Sequence, residues 1–273
     1  MTRVFVSGAF DDLRSFHVRF LEEANRNGKV TVALWSDQEV TQAQGRCKFP
    51  FEERKYILEA VRFVDRVIPN TGSDWKYGFP APAGSEDTIA WALLATDVTE
   101  DKMTFCRRNG LRLVVIHPEH LSEFPEAAFD PARLQEGRKR VVVTGCYDWF
   151  HSGHVRFFEE CSQLGDLFVV VGHDANVRLL KGEGHPLFVE GERRYVVGSC
   201  RYVTQALVTS GMGWMDAEPE IDVIRPHIYA VNEDGDKPEK RAFCAAHGLE
   251  YVVLKRTPKE GLPRHSSTNL RGF

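Results

Sequence analysis

Two histidines three residues apart, His151 and His154, stand in the stretch "VVVTGCYDWFHSGHVRFFEE" that begins at Val141. Before them an apolar, β-branched run ends at Thr144-Gly145; after Gly153-His154 the apolar residues recur at helical spacing. A turn from strand to helix leaves free backbone N–H groups and the positive end of a helix dipole at its mouth, an arrangement that favours phosphate. Gly145 and Gly153 let backbone approach an anion without a side chain in the way. The two imidazoles would point to one side of that entrance as N–H donors. A His-x-x-His pair also serves as two zinc ligands, but the sequence offers no convincing third. No Gly-x-Gly-x-x-Gly follows a strand and no Walker-type loop is present, which leaves dehydrogenase and P-loop readings weak.

The elements that must position these residues occur twice. Shifting the chain on itself by about 137 to 139 residues lays "VFVSGAFDDLRSFHVRFLEE" (from Val4) on the stretch above and "VRFLEEANRNGKVTVALWSD" on "VRFFEECSQLGDLFVVVGHD". It also lays "EERKYILEAVRFVDRVI" on "GERRYVVGSCRYVTQAL" and "FCRRNGLRLVVI" on "FCAAHGLEYVVL". Matches in one order at a near-constant offset indicate duplication, and two units are too few for a solenoid. Each unit reads as strand, helix, strand, helix and a late strand. "RVVVTG", "LFVVVGHD" and "EYVVL" suit covered parallel strands, while "HVRFFEECSQLG" and "ERRYVVGSCRYV" suit amphipathic helices. The fold class expected is α/β, with two parallel-sheet domains in series. The segment at 124–139, with two prolines and much charge, reads as a linker. The boundaries expected are 1–124 for the first domain, 125–138 for the linker and 139–273 for the second.

The whole chain narrows the classes. Its 273 residues make one large domain or two ordinary ones, with 42% hydrophobic and 27% charged residues as in soluble globular proteins. A formal charge of -4 argues against non-specific nucleic-acid binding but leaves room for a local basic pocket. No apolar run approaches the roughly 20 residues of a membrane span. The strand-like start gives no sign of a signal peptide. The six cysteines form no Cys-x-x-Cys pair and no zinc spacing, and a reduced cytoplasmic setting is expected.

With these residues in view, "TGCYDWFHSGH" resembles the His-x-Gly-His signature of the nucleotidylyltransferase superfamily, its cytidylyltransferases above all. "ERRYVVGSCRYV" is similar to that family's Glu-Arg-Lys…Arg-Tyr-Val-Asp segment, with Thr204 in place of the Asp. "RHSSTNLR" resembles the second signature, Ile-Ser-Ser-Thr-Lys-Ile-Arg, with His265 and Asn269 departing from it; "KRTPKEGLP" is similar to the approach to it. The second half looks most like the glycerol-3-phosphate cytidylyltransferases, and the tandem layout like the ethanolamine-phosphate cytidylyltransferases. The resemblance implies two Rossmann-like (HUP-type) domains. It also implies transfer of a nucleotide, CMP from CTP, to a phosphorylated alcohol, amino-alcohol or sugar, with pyrophosphate released and magnesium bound along with the triphosphate.

Residue by residue, the resemblance implies catalytic roles for His151, His154 and Lys181. Thr144, Gly145, Cys146, Tyr147, Asp148, Gly153, Arg256, Ser266, Ser267 and Thr268 would hold the nucleotide, with Asp148 ordering the turn. Arg193, Arg201 and Trp214 would face the acceptor or phosphate, though Trp214 could equally be core. No protein side chain is expected to ligate the metal. The acidic turn at Asn232, Glu233 and Asp234 could bind hydroxyls or an ammonium, or simply be solvated. An ATP-using relative of the ADP-heptose or pantetheine-phosphate type, or a silent nucleotide-binding protein, is the alternative. Aminoacyl-tRNA synthetases share the ancestry, but a Lys-Met-Ser-Lys-Ser-like loop and a basic balance are missing. In the first copy Arg14 and Phe16 replace the first histidine and the glycine, and nothing matches "SSTNLR", although His17, Arg54 and Arg62 persist. That copy is expected to be non-catalytic and to supply the packing surface of a partner subunit, in a monomeric pseudo-dimer or a homodimer. Neither nucleic acid nor membrane insertion is expected.

Overall fold

The computed structural model describes residues 2–70, 88–124 and 128–265. The chain divides into two units, Met1–Glu123 and Phe124–Phe273. The first runs β1 (Thr2–Gly8), α1 (Ser15–Asn25), β2 (Lys29–Leu34), α2 (Asp37–Gln44), α3 (Phe51–Glu59), β3 (Val64–Pro69), β4 (Thr88–Leu94), α4 (Glu100–Arg108) and β5 (Arg112–Ile116). The second runs β6 (Arg140–Gly145), α5 (Ser152–Leu164), β7 (Asp166–Val171), α6 (Asp174–Lys181), α7 (Glu190–Gly198), β8 (Gln205–Val208), α8 (Glu218–Ile224), β9 (Ile228–Asn232), α9 (Pro238–Ala246) and β10 (Glu250–Leu254).

Every strand pairing is parallel, as the α/β reading expects. The sheet orders are β3-β2-β1-β4-β5 and β10-β9-β6-β7-β8, one order met from opposite ends. In each, the chain steps outward from the central strand, then returns to its other side. That reversal, β1/β4 or β6/β9, is the switch point at which open α/β sheets hold ligands. β7 is buried at all six positions, which is why its sequence is an unbroken apolar run with no alternation.

Three local readings are corrected. The segment "ERRYVVGSCRYV" is helical only to Gly198; Arg201 lies on an exposed turn before the four-residue strand β8, and its sibling "VDRVIP" is strand β3. Lys181 is the last residue of α6 and not part of a loop. The supposed linker is packed onto the second unit. Phe129 and Leu134 join its core, Gln205 hydrogen-bonds the Asp130 N–H and the Ala128 carbonyl, and Asp166 accepts from Gln135 N and Arg138 Nε.

Candidate active site

The loop leaving β6 is shaped by its backbone and held by two buried polar side chains. Tyr147 sits at φ +53°, so its ring folds back over the strand end. A Cβ at Gly145 would stand 2.8–2.9 Å from that ring, so this glycine makes room for tyrosine as well as for an anion. Asp148, 5% exposed, accepts from the N–H groups of Leu187 (2.7 Å) and Phe188 (3.1 Å) and fastens the loop to the chain entering α7. Arg193, 2% exposed, donates to the carbonyls of Phe188, Cys146 and Gly172 and to the Asp174 carboxylate, at 2.5–2.8 Å. Its guanidinium is fully engaged in joining four segments of chain, which corrects the expectation that it faces an acceptor.

His151 caps the N-terminus of α5. Its Nδ1 accepts from Gly153 N at 3.1 Å, which assigns the proton to Nε2. That Nε2–H is buried and finds no partner in the protein. The His154 ring stacks on His151 with centroids 3.9 Å apart and planes at 25°, and is walled by Tyr147 (5.2 Å) and Phe150 (5.8 Å). Its Nδ1 is likewise buried without a partner. Burial, then the neighbouring imidazoles and Arg256, hold His151 well below the usual imidazole range. Burial, then Arg256 and Lys181, bring His154 down to about 3. Both rings are therefore neutral donors near pH 7. Gly153 owes its identity to this stack: a Cβ there would meet the His151 ring at 2.8–2.9 Å.

Cations surround the pair. Arg256 is gripped by the Asp234 carboxylate and by the His265 carbonyl (2.7 Å), and Arg264 lies 3.6 Å from Glu233. The acidic turn is thus occupied in orienting arginines, a role sequence reasoning missed because the partners are some 22 residues apart along the chain. The Lys181 charge acts on both His154 and the Cys146 thiol, which burial nevertheless pushes up. The His265 ring is 6.1 Å from that of His151. Thr144 Oγ1 shares a 2.7 Å hydrogen bond with the Tyr229 hydroxyl. Trp214 is 65% exposed, which settles the core alternative against it. Ser266, Ser267 and Thr268 lie outside the described residues. Among the described residues no three His, Cys, Asp or Glu side chains gather as a metal site.

The first unit is an internal control. Asp11 accepts from Lys48 N and Phe49 N, and Arg54 donates to Phe49 O, Ala9 O and Asp37, the same pattern 137 to 139 residues earlier. Phe10, at φ +45°, covers Gly8 as Tyr147 covers Gly145. What differs is the helix entrance. Arg14 pairs with Asp12 (2.5 Å), Phe16 takes the glycine's place, and His17 Nδ1 is consumed by Arg14 N (3.1 Å). Features present in both units build the fold; the stacked, unpartnered imidazoles belong to the second alone.

A family model described as cytidylyltransferase-like matches residues 142–271. FAD synthase of Ferroglobus placidus is 33% identical over 135 residues, 48% of this chain and 85% of that protein. Bifunctional protein HldE of Pelobacter propionicus is 33% identical over 104 residues, 38% of this chain but only 21% of that much longer protein. Ethanolamine-phosphate cytidylyltransferase of Arabidopsis thaliana is 23% identical over 278 residues, 78% of this chain and 65% of that protein.

Proposed function

Because the chain belongs to the cytidylyltransferase-like family of nucleotidyltransferases, we propose that its second unit transfers a nucleotidyl group, CMP from CTP in the first place, to a small phosphorylated acceptor. An acceptor phosphate oxygen attacks the α-phosphorus, the bond to the β-phosphate breaks, and its electron pair leaves with pyrophosphate. The nucleophile is already an anion, so no side chain has to remove a proton from it. What the protein must supply is in-line placement and compensation of the charge shifting towards pyrophosphate.

The observation that carries this reading is the stacked pair of neutral imidazoles, each with a buried nitrogen lacking a protein partner, at the N-terminus of α5. A buried polar atom left unpaired costs about 1–3 kcal/mol, a cost that a phosphate oxygen on His151 Nε2–H would offset. His154 takes the place beside the α-phosphate, while Arg256 and Lys181 bring positive charge to the same entrance. The residues that follow His265, with their Ser266, Ser267 and Thr268 hydroxyls, are assigned to the nucleotide from the resemblance. Magnesium enters with the triphosphate and neutralises its oxygens; the acidic side chains nearest the entrance, Asp234 and Glu233, are held by arginines.

CTP is favoured because the cytidylyltransferase relative aligns across both units. ATP is the second reading, favoured by the FAD synthase, most of whose length this chain covers. Pyrophosphate release from each nucleotide, over a panel of phosphorylated alcohols, amines and sugars, tests both. CTP-dependent turnover is expected; ATP-only turnover moves the protein to adenylyl transfer, and absence of nucleotide binding overturns the site.

A further inference from the structure

Beside the imidazole pair, a second piece of the strand-end surface is built rigidly yet leaves a large aromatic in solvent. Asn176, on α6 and 1% exposed, is saturated by one loop. Its Nδ2 donates to Gly213 O (3.1 Å) and Asp216 Oδ2 (2.8 Å), and its Oδ1 accepts from Gly213 N (2.7 Å). His173 adds a second clamp. Its Nδ1 accepts from Asn176 N, so Nε2 carries the proton and donates to Gly211 O at 2.8 Å. Gly211 N closes the loop on Asp216 O (2.9 Å), so close that a Cβ at Gly211 would stand 2.7 Å from that oxygen. The loop touches the end of β7: Asp216 Oδ2 would lie 3.5 Å from a Cβ at Gly172, whose N–H donates to Gly145 O. It is therefore tied to the strand ends that launch the His151/His154 turn. What it displays is Trp214, 65% exposed, and Met212, 59% exposed.

A buried amide spending three hydrogen bonds to hold an exposed indole still is costly as a surface device and economical as a binding platform. The first unit lacks the clamp. Asn176 is replaced there by Glu39, whose carboxylate is taken by Ser36 and Asn70, and His173 is replaced by Ser36.

We infer that Asn176 is a positioning residue that fixes the Gly211–Asp216 loop so that Trp214 and Asp216 receive the acceptor's non-phosphate end. This rests on the transferase reading above. The Asp216 carboxylate repels phosphate, so the loop does not bind that end. An indole face close to a carboxylate instead suits a group that carries hydrogen-bond donors, either an ammonium or the hydroxyls of a polyol or sugar.

The test compares wild type, Trp214→Ala, Asn176→Ala and the double variant in the full chain. Ethanolamine phosphate, glycerol 3-phosphate and a sugar phosphate serve as acceptors, and exchange of the Gly213 amide is followed in parallel. Trp214→Ala, on an exposed side chain, is expected to raise acceptor KM about tenfold, with kcat and nucleotide KM within about twofold. Asn176→Ala should do the same and speed exchange at Gly213, and the double variant should be no worse than Trp214→Ala alone. A preference for ethanolamine phosphate lost with Trp214 marks the ammonium; the same loss with glycerol or sugar phosphate marks hydroxyls. Unchanged acceptor KM in an active Trp214→Ala enzyme, or a rise in nucleotide KM instead, overturns the inference alone. A wild type that turns over no acceptor with CTP or ATP overturns the transferase reading and this role with it.

Discussion

A histidine that must donate to phosphate can be charged and wet or neutral and dry, and His151 and His154 are of the second kind. Their neutrality comes first from burial, and only then from Arg256, Lys181 and each other. Two outcomes follow at this scale. His154→Ala removes one preorganised donor and is expected to lower kcat by ~10²–10³ while the fold persists. Gly153→Ala should approach that loss without touching a donor, because the new methyl must displace the His151 ring now 2.8–2.9 Å away. Near-normal turnover in Gly153→Ala would mean that the stack is not the working geometry. The second outcome concerns pH. The folded value for His154, about 3, lies below its ordinary 6.5. Between those values the unfolded chain binds a proton that the folded one refuses, so the imidazole costs stability as pH falls from 6.5 and is neutral in effect above it. His154→Gln, which cannot take up that proton, should lose less stability than wild type between pH 6.5 and 4 in thermal unfolding. Equal losses in the two proteins would show that the ring protonates freely.

At the scale of elements, the site is the junction of β6, α5 and the chain entering α7, fixed by Asp148 and Arg193. The internal copy shows what these two do. Arg54 makes the same contacts in a unit that has lost the histidine pair, so the contacts serve folding. Arg193→Met and Arg54→Met are each expected to cost about 3–5 kcal/mol in denaturant unfolding, since each strands a carboxylate and several carbonyls. If Arg193 were instead an acceptor ligand, its loss would raise acceptor KM with stability intact. Much of this level was legible beforehand. The duplication, the parallel α/β fold, the strand before Gly145 and the helix after it all follow from unbroken β-branched runs alternating with 3.6-residue periodicity. The short strand β8 was not, because "QALV" is four residues long and continues the apolar spacing of α7 without a glycine or proline to punctuate it. Nor was the role of Arg193 legible: a buried arginine satisfied by carbonyls has the same sequence signature as one waiting for phosphate. Asn176 and His173 carry no local motif at all, since their partners are contributed by a loop some 35 to 40 residues on.

For the molecule as a whole, the question is how many sites two homologous units provide. The first has the strand order, the switch point and the Asp–Arg fastening of the second. At the helix entrance, however, it offers Arg14 bound to Asp12, a phenylalanine for the glycine, and a His17 imidazole whose Nδ1 is spent on Arg14 N. Burial, only partly offset by Asp12, lowers His17 to about 4, so it is neutral as well, but it has no second imidazole to stack on. The counterpart of Lys181 is Gln44, and no segment resembling "SSTNLR" follows β5. One triphosphate per chain is the expected stoichiometry in calorimetry. The stronger form of the prediction concerns repair. Arg14→His together with Phe16→Gly would restore the residue types of the entrance, yet the missing lysine and tail would still leave the charge of a triphosphate uncompensated. The repaired chain should therefore bind one equivalent with the affinity of wild type. A second equivalent appearing on repair would show that the two substitutions alone silenced the first unit. Two equivalents in the unaltered chain would show that the unit was never silent, and that a stacked pair of imidazoles is dispensable for holding the nucleotide.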